Sequence, residues 1–560
     1  MVPLSTSFSG IQRKSIWLLS GRWLFCLWIV TLVLAAHAEV MVASSADVEL
    51  GRRIYLEGIL PSGEPLKGKR QNSTEVEGAA AACATCHRRS GMGSLESNIV
   101  VMPITGKYLF ATDEDRQLAL VDIREAKNVT RPHAPYTEES MAKAIRDGVN
   151  VSGRPMSPLM PHYALSDAEI KLLKAYLSQL SSELSPGVGA DTLKFATIVT
   201  PGVDPKQSGA MVSMMRSAFT QRNDAQEAHS GRMRMPLDLI PRTLRNWELK
   251  VWELKGEPET WGVQLAEYYR RDPVFAVISG VSNTTWAPVD AFCQQEKLPC
   301  MFPSVALPPA ETKYYPFYYS RGVVLEADVL ARHLRDQGEK ATPRLIQVYR
   351  DDEVGRGAGQ ALTEALKGSN VQVENRVLHG QEPSALKSVL KGLSSKDTVM
   401  LWLRRVDLSA VSKAALKQLP AVAYVSGLLA NDDYGFVSEA WKPHVRVVYP
   451  YELGAIRQKN GAAMKEWLKN WQLPLVDEVF QSEVFFNLLF LTDLTSQMLD
   501  NLYRDYMVER AEDMLSMGSN VSAYPHLSLS LGQRYASKGA YIARFAPDGK
   551  LVPDSEWIVP

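Results

Sequence analysis

The sequence predicts two folded regions of different class: an all-α first region over residues 47–184, then a larger α/β region over 193–560 built as two lobes. Three observations carry this reading. The chain has 560 residues, more than one hydrophobic core supports. Apolar residues recur at helical spacing up to Leu184, whereas beyond Leu193 short β-branched or aromatic runs alternate with helical patterns. Between the two lies Ser185-Pro186-Gly187-Val188-Gly189, a run of turn formers that marks residues 185–192 as a linker.

Residues 1–38 read as an export signal. Arg13, Lys14 and Arg22 form a positive flank, Trp23 to Ala36 is an apolar run, and Ala36-His37-Ala38 is a small-x-small cleavage pattern. The alternative is an uncleaved anchor, since Ile16 to Ala36 nearly spans a bilayer. Cleavage removes Cys26 and leaves no stable membrane span, in a chain sent to an oxidising compartment of the periplasmic kind.

In the first region, Val48–Glu57, Glu138–Gly148 and Ser166–Leu180 have helical apolar spacing. Ser166-Asp167-Ala168-Glu169 opens the last of these with a capping-box pattern. In the second region the expected strands are 195–199, 249–254, 274–279, 300–302, 345–349, 371–378, 398–403, 421–425 and 445–449. Helices such as Val324–Gln337, Gly357–Lys367 and Pro383–Leu393 fall between them. That alternation means parallel sheets covered on both faces, with ligands expected at the carboxyl ends of the strands.

Charge excludes one class of function. Lys and Arg total 62 and Asp and Glu total 62, with no basic stripe, so the chain lacks the electrostatic footprint of a nucleic-acid binder. The nine His are scattered, and no nucleophile–base–orienter set is visible. An enzyme is therefore not the leading expectation.

The sharpest chemistry is Cys83-Ala84-Thr85-Cys86-His87. Two thiols spaced by two residues add across the two vinyl groups of a haem, and the adjoining imidazole reaches the iron. The motif occurs once, so one covalent haem c is expected, with Cys83, Cys86 and His87 as its attachment. A bare C-x-x-C is also a redox dithiol or half a zinc site. The immediate His, the export signal and the absence of a second nearby Cys pair favour haem. For the sixth ligand Met92 is too close in sequence, and Met102 reads as loop or core. The segment from Gly148 to Pro161 offers Met156 and Met160, with His133 and His162 as further alternatives.

An early helix, C-x-x-C-H, a long loop with Met160-Pro161, and a final helix with Leu172, Leu173, Tyr176 and Leu177 on one face resemble the class I c-type cytochromes. The resemblance covers about residues 47–182 and implies Met160 as the second axial ligand and a low-spin iron suited to single-electron transfer. The polar stretch from Leu60 to Ala79 departs from a minimal member and is expected to be a surface loop or docking element.

From Leu193 onward the order of segments resembles the type I periplasmic binding proteins of branched-chain amino acid and amide transporters. Leu193 to Thr200 is similar to the opening strand, Phe275 to Thr285 to the strand and polar loop that hold a ligand's charged group, and Arg344 to Gly355 to the first strand and turn of the second lobe. The resemblance implies a hinged cleft, with Ser282, Thr284 and Ser304 as donors and Tyr349 and Arg404 on the second lobe. Each has a plainer role as a turn, cap or ion-pair residue. Val354 stands where amino-acid binders carry a Tyr, which counts against an amino-acid ligand. Cys293 and Cys300 flank a helix-to-strand turn and are expected to form a disulfide worth on the order of 2 kcal/mol, against two buried thiols.

The expected function is a periplasmic mono-haem electron carrier coupled to a small-molecule-binding or partner-docking module, with redox proteins as partners. Two alternatives stand beside it: a solute receptor for an ABC-type transporter or sensor with haem as reporter, and an open-haem enzyme.

Overall fold

The computed structural model describes residues 44–560 except 72–73, 97–98, 113–132, 231–244, 338–343, 381–382, 412–417, 518–521 and 531. The export segment and Cys26 lie outside the described residues. The chain forms two compact units, one from the residues up to Thr85 with Tyr136–Gln179, the other from Cys86–Pro135 with Leu180–Pro560.

In the first unit, α1 (Ser45–Glu57) starts at Ser44, whose side chain accepts the Asp47 N–H, and ends at Gly58 in the left-handed conformation. Gly51 lets α1 meet the unit's last helix backbone to backbone: a Cβ there would lie 2.1 Å from the Leu172 carbonyl oxygen and 2.9 Å from Tyr176 Cβ. Tyr55 and Tyr176 add a ring contact at 5.3 Å. The expected capping box is present, with Glu169 accepting the Ser166 N–H at 2.7 Å and Ser166 Oγ accepting the Glu169 N–H at 3.3 Å.

The all-α expectation is corrected. Strands β1 (Lys67–Lys69), β2 (Glu75–Glu77) and β5 (His162–Tyr163) form an antiparallel sheet in the order β2-β1-β5. The stretch expected to be a surface loop thus supplies two of its strands. They are too short and too polar to show a two-residue apolar period, and β1 joins β5 across most of the unit's sequence, a pairing that no local signal reports. Gly68 of β1 sits under the Tyr163 ring, where a Cβ would lie 2.7 Å from Cε1.

The second unit opens with α2 (Ala84–His87), whose first residues close the first unit, a hairpin of β3 (Ser94–Glu96) and β4 (Ile99–Val101), and the single turn α3 (Gly106–Leu109). Lobe one then places β6 (Thr192–Val199) at the centre of a parallel sheet ordered β11-β9-β6-β8-β10-β12, with β7 (Asn246–Glu253) also paired to β6. The others are β8 (Ala276–Ile278), β9 (Val281–Ser282), β10 (Cys300–Met301), β11 (Ser304–Val305) and β12 (Pro316–Phe317). Lobe two orders β14 (Gln372–Leu378), β13 (Arg344–Arg350), β15 (Thr398–Trp402), β16 (Val422–Ser426) and β17 (Val445–Tyr449) in parallel, then adds β18 (Tyr541–Phe545) and β19 (Leu551–Pro553) antiparallel. Each expected strand is present with its ends moved by a few residues. β15 is buried at every position, as a central parallel strand must be. Its Trp402 donates to Gln347 Oε1 at 3.0 Å, and Gln347 donates onward to the Gly359 carbonyl at 2.8 Å, so this buried polar group is satisfied.

After lobe two the chain returns to lobe one through α14 (Gly454–Asn470), α15 (Glu478–Met498) and α16 (Arg504–Met517). α15 is buried on nearly all sides, which removes the amphipathic period and explains why its run of Phe and Leu carries no helical stripe. No described helix is long and apolar enough to cross a membrane. The chain crosses between lobes near Tyr318, Tyr451 and Tyr535. The first and third crossings pair through Tyr318 N–H to the Arg534 carbonyl at 2.8 Å and Ala536 N–H to the Tyr318 carbonyl at 3.0 Å.

Candidate functional site

Cys83 lies in a turn that winds directly into α2, so Cys86 and His87 follow on one short helix. Cys83 is half-buried and Cys86 exposed; neither is in a disulfide, whereas Cys293 and Cys300 are joined. The His87 ring is fixed by its second nitrogen. Nδ1 lies 2.9 Å from the Met102 carbonyl, and a carbonyl only accepts, so Nδ1 carries the hydrogen and Nε2 keeps its lone pair for a metal. Burial lowers the imidazole pKa, outweighing the Met102 bond, and favours the neutral form that ligates iron. Two thiols outside any disulfide and an oriented neutral imidazole fit a covalently held haem.

Met160 is half-buried and sits in the first unit on a turn where its N–H donates to the Ser157 carbonyl at 3.0 Å. Met156, also half-buried, bonds back to the Gly148 carbonyl at 2.7 Å. His133 Nδ1 lies 2.8 Å from the Ala134 carbonyl. The ring of His162 covers Gly148, where a Cβ would lie 2.3 Å from Nε2.

In the α/β body the expected ligand residues divide between two places. Ser282 is buried and occupied: its Oγ accepts from Thr200 Oγ1 at 2.9 Å and the Thr284 N–H at 3.2 Å, and donates to the Thr285 carbonyl at 3.0 Å. Thr284 is exposed beside it. Arg404 pairs with Asp352 at 2.5 Å and donates to the Asn283 carbonyl at 3.1 Å, so it bridges lobe two to the same polar loop of lobe one. Tyr349 packs against Gly359, where a Cβ would lie 2.6 Å from its ring.

Ser304 belongs to a second centre, which sequence reasoning missed. Glu483 and Asn487, one turn apart on α15, meet the carboxyl ends of β8 and β10. Asn487 Nδ2 donates to Ser279 Oγ at 2.7 Å and to the Phe302 carbonyl at 3.1 Å. Ser279 and Phe302 both have left-handed φ, 56° and 50°, a conformation that costs energy and that these bonds hold in place. Glu483 accepts the Tyr524 hydroxyl at 3.0 Å, and its carbonyl accepts that of Tyr319 at 2.8 Å. Tyr524 stacks on Tyr319 at 5.0 Å and meets Tyr451 at 5.0 Å. Burial pushes the Glu483 carboxyl up to about 7, against the bonds from Ser304 and Tyr524 that favour its charged form. The usable signal was a Glu and an Asn four residues apart in a segment rich in Phe and Leu.

The motif and the doubly wound lobes define a class: a C-x-x-C-H segment similar to cytochrome c joined to a two-lobed α/β body. The family model for cytochrome c matches residues 76–181, and the α/β body has counterparts among solved binding proteins. An extracellular ligand-binding receptor from Verminephrobacter eiseniae is 15% identical, with a TM-score of 0.45 over 64% of this chain and 99% of that one. A branched-chain amino acid ABC transporter protein from Thermus thermophilus, solved with valine, is 11% identical, with a TM-score of 0.48 over 66% and 97%. A fatty acid ABC transporter substrate-binding protein from Thermomonospora curvata is 13% identical, with a TM-score of 0.47 over 68% and 95%. No curated protein matches the chain.

Proposed function

We propose that the protein is an exported, periplasmic mono-haem c-type cytochrome that passes single electrons between redox partner proteins, with the α/β body as a small-molecule-binding or partner-docking module. The observation that carries this reading is His87, whose Nδ1 is committed to the Met102 carbonyl while Nε2 is left to bind iron, one residue from Cys86 and four from Cys83. A haem held there supplies a one-electron couple. The chain's own part is to attach it through Cys83 and Cys86, orient the imidazole and keep it neutral. Met160 is proposed as the second axial ligand on the strength of its Met-Pro sequence and the cytochrome resemblance.

Protein exported from a host competent in c-type maturation tests this. Intact mass should exceed that of the chain by one haem, and Cys83→Ser should lower covalent haem content sharply. Met160→Ala should convert a low-spin, six-coordinate absorption spectrum to a high-spin one. A colourless product of chain mass would end the carrier reading. An unchanged Met160→Ala spectrum would move the ligand elsewhere, and a high-spin wild-type spectrum would favour an open-haem enzyme.

The second reading, a solute receptor for a transporter or sensor, is supported by the Glu483 centre. A buried acid, an amide and three Tyr rings converge at the strand ends, where doubly wound sheets take their ligands. Calorimetry of the holoprotein against amino acids, amides and small alcohols checks it. Heat from one of these solutes that Glu483→Gln abolishes would support capture, and a flat panel would favour docking.

A further inference from the structure

The chain that follows the haem motif is anchored mainly on one helix of the second unit. α16 presents Glu509, which is gripped at both oxygens: the Ser90 N–H donates to one at 2.9 Å and the Ser90 hydroxyl to the other at 2.5 Å. Ser90 is fully buried and Glu509 is 3% exposed. Ser90 is locked in turn, since its Oγ accepts the Met92 N–H at 3.1 Å and its carbonyl accepts the Ser181 hydroxyl at 2.7 Å. On either side, Arg88 pairs with Asp513 at 2.7 Å and lies 3.7 Å from Glu512, while the guanidinium of Arg89 lies 4.5 Å from the centre of the Tyr314 ring.

The groups facing Glu509 come from three elements. Asp505, Glu512, Asp513 and Arg510 share its helix, Arg88 and Arg89 come from the haem segment, and Tyr314 reaches it at 3.4 Å from the loop before β12. Arg534, beyond them, is paired with Glu512. This is a buried carboxyl in a charged network, fastened to backbone three residues from the iron-binding imidazole.

We propose that Glu509 is a redox-linked proton site for a haem held at His87. On oxidation of a haem held at His87 by a one-electron acceptor, Glu509 would release its O–H proton to water. The iron gains one positive charge and the carboxylate one negative charge, so the buried region keeps its net charge. This is the economical outcome where uncompensated charge is costly. On reduction the same proton returns.

The magnitudes agree. Burial pushes the Glu509 carboxyl up to about 8, against the two bonds from Ser90 that favour its charged form, so the group changes charge within a few units of neutrality. His87 and Ser90 are three residues apart, at most ~11 Å of chain. Were the carboxylate about 12 Å from the iron, a unit charge at an effective dielectric of about 20 would alter the reduction equilibrium about tenfold, which is about 59 mV for a one-electron couple.

The inference rests on haem attachment at His87, which the absorption spectrum and mass check independently of any potential. The test is a redox titration of the holoprotein between pH 6 and pH 9. The wild-type midpoint should fall as pH rises, by about the tenfold change above, because the ionised carboxylate favours ferric iron. Glu509→Gln should remove that slope. Glu326→Gln, which neutralises a buried carboxyl of lobe two, should keep it. Asp513→Asn guards against misfolding of the Glu509 variant: it removes a fixed charge, so it should raise the whole curve and leave its slope. A flat wild-type curve, a slope that survives Glu509→Gln, or a slope abolished by Asp513→Asn would each overturn the proposal.

Discussion

Arg404 of lobe two reaches across to lobe one and donates to the carbonyl of Asn283 at 3.1 Å, while its other arm is held by Asp352 at 2.5 Å. Asp352 also caps α10 (Glu353–Ala365) by accepting the Gly355 N–H at 2.8 Å. One guanidinium therefore ties the start of a lobe-two helix to the polar loop of lobe one.

Arg404→Ala should favour a more open arrangement of the lobes. The ion pair is about one-third exposed on each side, so solvent screening limits the whole contribution to about 1 kcal/mol. That corresponds to roughly a fivefold shift in the ratio of closed to open forms. Small-angle scattering of the holoprotein should show a larger radius of gyration, and an unchanged scattering profile would rule out a latch.

Gly51→Ala should destabilise the first unit. Alanine raises helix propensity by about 1 kcal/mol, but its Cβ would lie 2.1 Å from the Leu172 carbonyl oxygen, a backbone atom that cannot turn aside. Overpacking of this kind costs about 1–3 kcal/mol, so the steric term wins. Chemical denaturation should give a lower midpoint, and a variant as stable as wild type would mean that the two helices part easily.

Glu326→Gln should stabilise the protein at pH 8 and leave it little changed at pH 4.5. Burial pushes this carboxyl up to about 8, against the Ser426 hydroxyl and the Leu428 N–H. The folded pKa lies above the unfolded one, so the folded state binds the proton more tightly. Its stabilisation is complete below the unfolded pKa near 4.5 and is lost as pH rises through about 8. A neutral amide avoids that loss, which amounts to about 5 kcal/mol at most. Thermal melts at both pH values check the sign, and equal melting shifts at pH 4.5 and 8 would contradict it.

Much of the fold was legible because its signals are local. β15 appears as a buried, mostly apolar run, and Ser166 and Glu169 announce a helix start, since each pattern records burial or capping within a few residues. The β1–β5 sheet was not legible, because two- and three-residue polar strands carry no period. Nor were the partners of Glu483 and Glu509, whose contacts join residues far apart in the chain.

The sequence by itself determined that one C-x-x-C-H stands ahead of a long run of alternating strands and helices, because covalent chemistry and hydrophobic period are written in neighbouring residues. Tertiary structure alone decided what surrounds those residues: that Met102 orients His87, that Ser282 is spent on its own turn, and that α16 grips Ser90 through Glu509. Hydrogen bonds and burial depend on groups brought together only by folding, and no spacing along the chain encodes their distances.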